Sequence, residues 1–210
     1  MKHTNDVLLV IDVQYDFMPG GALAVPDGDA VVPVINALAA RFDQVVLTQD
    51  WHPRDHVSFA ANHPGREPFS TLALPYGEQV LWPVHCVQGT DGAALHRDLD
   101  VPHARLVIRK GGDAQVDSYS AFVEADRTTR TGLAGYLREL GAKRVWCCGL
   151  ATDYCVAWSA LDARAAGFDA AVIDDACRAI DLNGSLANAW QQLQAAGVTR
   201  VTSAGARPAA

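Results

Sequence analysis

Among the five cysteines of the chain, Cys155 stands out by its setting in RVWCCGLATDYCV, where a strand pattern gives way, through Gly149 and a small-residue turn, to a helical one. Thr152 and Asp153 are suited to cap that helix. A cysteine in a first helical turn meets unpaired backbone N–H groups and the positive end of the helix dipole, both of which favour the nucleophilic thiolate. The same N–H groups could hold a developing oxyanion. Cys147 and Cys148 lie within the strand and read as packed apolar thiols, and Cys86 and Cys177 read as structural. A lone cysteine at a helix start is more often inert than reactive, so its partners decide the matter. Asp12 closes the apolar run in VLLVIDVQYDF, where a carboxylate is costly to desolvate unless it is paired or working. Lys110 closes RLVIRK in the same way, ahead of Gly111 and Gly112. Acid, lysine and thiol at three strand ends would complete an amidase. Asp12 would take the thiol proton and return it to departing ammonia, Cys155 would attack the amide carbon, Lys110 would hold the charge balance, and water would hydrolyse the thioester.

A second constellation has metal-ligand spacing. In QDWHPRDH, Asp50 and His52 are two residues apart at a strand end, which points both side chains to one side. WPVHC later supplies His85. Two imidazoles and one carboxylate leave positions open for water or substrate, as a reactive site requires and a structural zinc site does not. His56 is either a fourth ligand or a group that orients one by hydrogen bonding. One divalent ion is expected, and the donor set suits zinc, iron or manganese alike. Seven histidines in all mean bystanders, and His3, His63, His96 and His103 have no comparable setting.

The elements that must position these groups alternate. Val7 to Ile11 reads as a strand, Ala30 to Phe42 as a helix with Val31, Val34, Ile35 and Leu38 at helical spacing, and Gln44 to Thr48 as the next strand. A long excursion from Trp51 to about Ala104, rich in His, Pro and Gly, precedes the strand Arg105 to Arg109. Its length marks it as functional, although Asn62 to Gly77 carries no motif. Then come a helix from Thr131 to Leu140, the strand Arg144 to Gly149, a helix from about Asp153 to Ala166 and the strand Asp169 to Ile173. A helix over Leu186 to Ala196 and a strand over Val198 to Thr202 follow. Such alternation predicts an α/β fold, a three-layer α/β/α sandwich around a mainly parallel sheet of about six strands. Ligands in such sheets sit beyond the carboxyl ends of the strands, where Asp12, Asp50, Lys110 and GLATDYC all fall.

At 210 residues, 50% hydrophobic and 20% charged, the chain is expected to form one domain over residues 1–210, with 204–210 a frayed tail. A net charge of -7 and the lack of a basic run argue against nucleic acid as a partner. No stretch approaches the length of a membrane span, and the opening apolar run is too short for a secretory core, so a cytoplasmic protein with reduced thiols is expected. A small-molecule substrate is the expected partner, and a homo-oligomer is left open.

IDVQYDF, QDWHPRDHVSF, WPVHCVQGT, Lys110-Gly111 followed by DSYSAF, and GLATDYCV occur in that order. Together they resemble the nicotinamidase/pyrazinamidase branch of the isochorismatase-like cysteine hydrolases. DxQxDF alone would mark the superfamily, whereas DWH with WPxHC marks its metal-containing nicotinamidases. The resemblance implies hydrolysis of nicotinamide to nicotinate and ammonia in NAD salvage, with pyrazinamide as a further substrate. It implies a triad of Asp12, Lys110 and Cys155 and a metal on Asp50, His52 and His85, with His56 at a position whose role varies. It also implies an oxyanion hole from the N–H groups of Ala151 and Cys155 beside a cis Leu150–Ala151 peptide, and ring walls from Phe17, Trp82 and Tyr119. A carbamoyl- or ureido-cleaving cysteine amidase would keep the triad without needing Asp50, His52 and His85. A dinucleotide-binding domain would need a GxGxxG after the first strand, where Asp12-Val13-Gln14 stand instead.

Overall fold

Every residue of DVLLVI is buried, as a strand covered on both faces requires. This is β1, Asp6–Ile11, in a computed structural model that describes residues 5–207. His3 lies outside the described residues. The remaining strands are β2 (Val45–Asp50), β3 (Thr71–Leu74), β4 (Gly77–Val80), β5 (Leu106–Lys110), β6 (Arg144–Leu150), β7 (Asp169–Arg178) and β8 (Thr199–Val201). The α-helices are α1 (Val31–Ala39), α2 (Leu133–Glu139), α3 (Ala157–Ala165) and α4 (Ser185–Ala195). Six strands form one sheet in the order β5-β2-β1-β6-β7-β8, and every pairing in it is parallel. Helices flank it as the outer layers of an α/β/α sandwich. No helix among the described residues is long and apolar enough to cross a membrane.

The strand order decides where a ligand belongs. From β1 the chain builds outward through β2 to β5, then returns to the other side of β1 and builds through β6, β7 and β8. The carboxyl ends of β1 and β6 therefore flank a topological switch point, the place in open α/β sheets where a crevice opens. Asp12 follows β1 there, and the GLATDYC segment leaves β6.

Beyond shifts of a few residues at element ends and the π turn ahead of α3, two elements differ from the sequence expectation. The strand expected to stop at Ile173 runs on to Arg178, because a register shift between Cys147 and Gly149 lets Gly149 and Leu150 pair with Cys177 and Arg178. The polar pair within it is satisfied from β8 and beyond: Arg200 Nη2 reaches Asp174 at 2.6 Å, and the Ser203 amide donates to Asp175 at 2.6 Å. The excursion also holds a small antiparallel hairpin, β3–β4, over part of the stretch that carried no motif. The frayed-tail reading needs correcting for its first part. Ala206 is fully buried, and the Gly205 and Ala206 amides both donate to the Thr202 carbonyl. Residues 208–210 lie outside the described ones.

Gly149 shows how tightly β6 approaches β1. It pairs with Ile11 at a φ of 115°, and a Cβ there would run into the Ile11 backbone. Gly149→Ala is therefore expected to lower unfolding free energy by about 2–4 kcal/mol, from positive-φ strain plus a clash that backbone cannot relieve. Urea denaturation checks this, and a change under about 0.5 kcal/mol would show that the strands can spread.

Candidate active site and metal cluster

Asp12 leaves β1 in the left-handed region, with φ 51° and no exposure to solvent. Thr48 of β2 fixes it twice: the Thr48 hydroxyl accepts the Asp12 amide at 3.1 Å and donates to Asp12 Oδ1 at 2.5 Å. Lys110 ends β5, and its side chain reaches past β2 to place Nζ 2.9 Å from Asp12 Oδ2 and 3.4 Å from Cys155 Sγ. The same ammonium donates to Asp50 Oδ1. The three strand-end groups thus meet, and Asp50 joins them.

Electrostatics follow from burial. Desolvation opposes the charge on Lys110, yet Asp12 and Asp50 outweigh it and raise its pKa well above the ordinary value. Burial, with the Asp50 charge added, lifts the Asp12 carboxyl above the usual range despite Lys110. Asp50 is driven the other way: burial is outweighed by Lys110 and His52, which hold it well below that range. Burial also pushes the Cys155 thiol well above its normal value, with Asp12 and Asp50 adding to the effect and Lys110 opposing it. This corrects the reading of Cys155 as a thiolate favoured by a helix start. Cys155 lies in a single π-helical turn, Thr152–Val156, ahead of α3, and is buried there beside two carboxylates that oppose a thiolate. The resting thiol keeps its proton and needs a base. The Leu150–Ala151 peptide before the turn is cis.

The metal-spaced residues also converge. Asp50 Oδ2 lies 3.5 Å from His52 Nε2 and 3.9 Å from His85 Nε2, longer than a good N–H···O bond and in the range of ligands that share an ion. His52 Nδ1 donates to the Gly111 carbonyl at 2.9 Å, and His85 Nδ1 to the Pro83 carbonyl at 2.8 Å. At His85 this bond fixes the neutral tautomer whose Nε2 lone pair faces Asp50; at His52, whose pKa Asp50 raises against the effect of burial, it turns Nε2 toward the same carboxylate, the usual support of a metal-ligating imidazole. Burial and the neighbouring His52 push His85 down to about 4, so that it is a neutral donor. The three donors form a cluster able to hold a metal ion. His56 stacks on His52 with ring centres 4.1 Å apart, but its Nδ1 meets Ser58 Oγ at 2.7 Å and its Nε2 the Val116 carbonyl at 3.2 Å. Of the histidines set aside, His63 and His103 bond backbone carbonyls away from this cluster.

Phe17, Trp82 and Tyr119 line one cavity with Asp50, His52, His85, Ala151 and Cys155. Trp82 Nε1 donates to the Tyr119 hydroxyl at 3.1 Å, and Gln79 of β4 donates to the same oxygen at 3.2 Å. Leu23, Tyr154 and Ile180 complete the apolar wall and were missed from sequence. Tyr154 had adjacency to Cys155 as a signal, whereas Ile180 had none. The supports in IDVQYDF were missed too. Gln14 clasps Asp50, accepting its amide and donating to its carbonyl, both at 2.8 Å, and Asp16 accepts the Cys86 amide at 2.7 Å beside His85.

An isochorismatase-domain family model matches residues 6–205. A nicotinamidase of Acinetobacter baylyi is 59% identical over 204 residues, which cover 97% of this chain and 95% of the relative. A solved nicotinamidase/pyrazinamidase of Acinetobacter baumanii superposes with a TM-score of 0.95 at 59% identity, covering 97% of this chain and 99% of that one. A pyrazinamidase of Pyrococcus horikoshii, solved in complex with zinc, gives 0.78 at 36% identity over 94% of this chain and 99% of that one.

Lys110→Met should expose how the cluster is held. It leaves Asp12 and Asp50 buried without their shared cation, and breaking a buried pair from one side costs about 3–5 kcal/mol. Equilibrium unfolding is expected to show that loss. A variant within about 1 kcal/mol of the parent would mean that the carboxylates do not depend on the ammonium.

Proposed function

The chain belongs to the isochorismatase-domain family, in its nicotinamidase branch, and from that premise we propose how it turns nicotinamide into nicotinate and ammonia. Asp12, Lys110 and Cys155 are the catalytic triad. The observation that carries this is the buried Lys110 ammonium, 2.9 Å from Asp12 Oδ2 and 3.4 Å from Cys155 Sγ, with Cys155 lining the cavity. Asp12, with its raised pKa, takes the Cys155 proton as sulfur attacks the carboxamide carbon. The N–H groups of Ala151 and Cys155 receive the oxyanion as it forms. Asp12 returns the proton to the amine nitrogen, the C–N bond breaks, and ammonia leaves a Cys155 thioester. A water then attacks the thioester carbon, giving its proton to Asp12, which passes it back to sulfur as nicotinate departs. Lys110 stays charged throughout and keeps Asp12 and the transient thiolate within one low-energy arrangement.

Phe17, Trp82 and Tyr119 form the walls that hold the pyridine ring, and the pocket takes pyrazinamide on the same terms. Asp50, His52 and His85 hold one divalent cation, and their donor set is served by zinc, iron or manganese. When bound, it supplies an anchor for the ring nitrogen that orients the carboxamide toward Cys155. His56 supports His52 by stacking and is not itself a ligand, a role favoured by its bonds to Ser58 and Val116. The reaction feeds nicotinate to NAD salvage.

An ammonia-release assay with nicotinamide tests the chemistry. Cys155→Ala is expected to lose turnover by at least about a thousandfold while still binding nicotinamide by calorimetry, since only the nucleophile is removed. Turnover within a few fold of the parent would overturn the covalent mechanism. Metal analysis of purified variants tests the other half. His85→Ala should lose most of its bound metal and His56→Ala should keep it, whereas full occupancy in His85→Ala would remove that residue from the metal site.

A further inference from the structure

Asp153 is a carboxylate that the mechanism above does not use. It is 6% exposed and lies in the same π turn as Cys155, two residues before it. Its two oxygens accept three hydrogen bonds, all from one distant segment. Oδ1 takes the Ile180 amide at 3.1 Å, and Oδ2 takes the Asp181 amide at 2.8 Å and the Ser185 hydroxyl at 2.5 Å. That segment leaves β7 and enters α4 through Asp181, Asn183 and Gly184, with φ values of 55°, 52° and 81°. Left-handed residues outside glycine carry a conformational cost, so the path persists because something outside it holds it. Ile180, whose amide is the first of the three donors, lines the cavity with Ala151, Tyr154 and Cys155.

We propose that Asp153 is a positioning residue that clamps Ile180 against the nucleophile turn, so that the pair sets which ring substituents the pocket accepts. This rests on the reading of the cavity as the nicotinamide site. The clamp needs a carboxylate, because three donors converge on it. An asparagine would turn an NH2 group toward one of them and break the convergence. The effect belongs to specificity, because Ile180 is an apolar wall with no group to offer the reaction. An apolar wall displaced by the width of a methyl group changes discrimination between ring-substituted substrates by about tenfold or more.

The test compares kcat and KM for nicotinamide and for the set of ring-methylated nicotinamides in the parent, Asp153→Asn, Ser185→Ala and Ile180→Ala. In Ile180→Ala and Asp153→Asn, at least one methylated amide is expected to gain about tenfold relative to nicotinamide, with KM for nicotinamide raised more than kcat is lowered. Ser185→Ala removes one of the three bonds and should shift the same amide by a smaller factor, which keeps the test open if Asp153→Asn fails to fold. A uniform fall in kcat for all amides, with the ratios unmoved in Asp153→Asn or Ser185→Ala, would overturn the proposal. So would an unmoved ratio in Ile180→Ala. A parent that releases no ammonia from nicotinamide would instead overturn the reading of the site itself.

Discussion

The Lys110 ammonium is buried between Asp12 and Asp50, and the arrangement of the active site depends on how that charge is compensated. An ion of this size loses several kcal/mol of effective hydration on entering a protein interior. Two unit charges about 4 Å apart recover about 4 kcal/mol at the effective dielectric of such sites, so one carboxylate roughly balances the loss and two make the charged state secure. The consequence is visible in both carboxylates. Asp50, with two imidazoles near its second oxygen, is held firmly ionised, while Asp12, more deeply buried, is left with a raised proton affinity. A raised affinity is what a base for a buried thiol needs. Two carboxylates against one ammonium also leave an excess negative charge, which suits a cation on the imidazole side of Asp50. On the proposed mechanism, Lys110 thus links the sulfur chemistry to the Asp50–His52–His85 cluster through a single carboxylate.

The sheet makes this meeting possible, and the hydrogen bonds of IDVQYDF refine it. Parallel strands deliver Asp12, Asp50 and Lys110 to one edge from three neighbouring positions in the order β5-β2-β1. Alternation along the loop after β1 then divides the labour. Asp12 faces Lys110, Gln14 braces the backbone of Asp50, and Asp16 braces the turn that carries His85. The polar residues of this short run therefore position both the proposed triad and the proposed metal donors, so its spacing is constrained more tightly than any one of its residues would suggest.

What could be read from sequence was whatever strand ends dictate. Asp12 and Lys110 were legible because a strand that stops at a charged residue implies a buried charge at a sheet edge, and Asp50 and His52 because their two-residue spacing at a strand end turns both to one side. The protonation of Cys155 was not legible, since a helix-start argument presumes a solvated turn and the turn is buried beside two carboxylates. The β3–β4 hairpin escaped because its strands are four residues each and its anchor is a buried contact from Gln79 to Asp117, far away in sequence. Ile180 escaped for a similar reason, its placement resting on Asp153 and not on any pattern of its own. The extension of β7 past Ile173 depends on a register shift in β6, which no local propensity reports.

These differences sort by element. The groups assigned to proton transfer and charge balance sit at the carboxyl ends of β1 and β5, where the sheet leaves them little freedom. Phe17, Trp82, Tyr119 and Ile180, assigned to the walls, lie on connections that side-chain bonds hold in place: Trp82 and Tyr119 to each other and to Gln79, Ile180 to Asp153. Strand geometry cannot change without disturbing the whole sheet, whereas a connection can be re-tied by changing one clamp. A fold built in this way can keep one acid, one lysine and one thiol in register while the ring-binding wall changes around them. Substrate choice is then governed by bonds such as those on Asp153, and the hydrolytic chemistry by the strands.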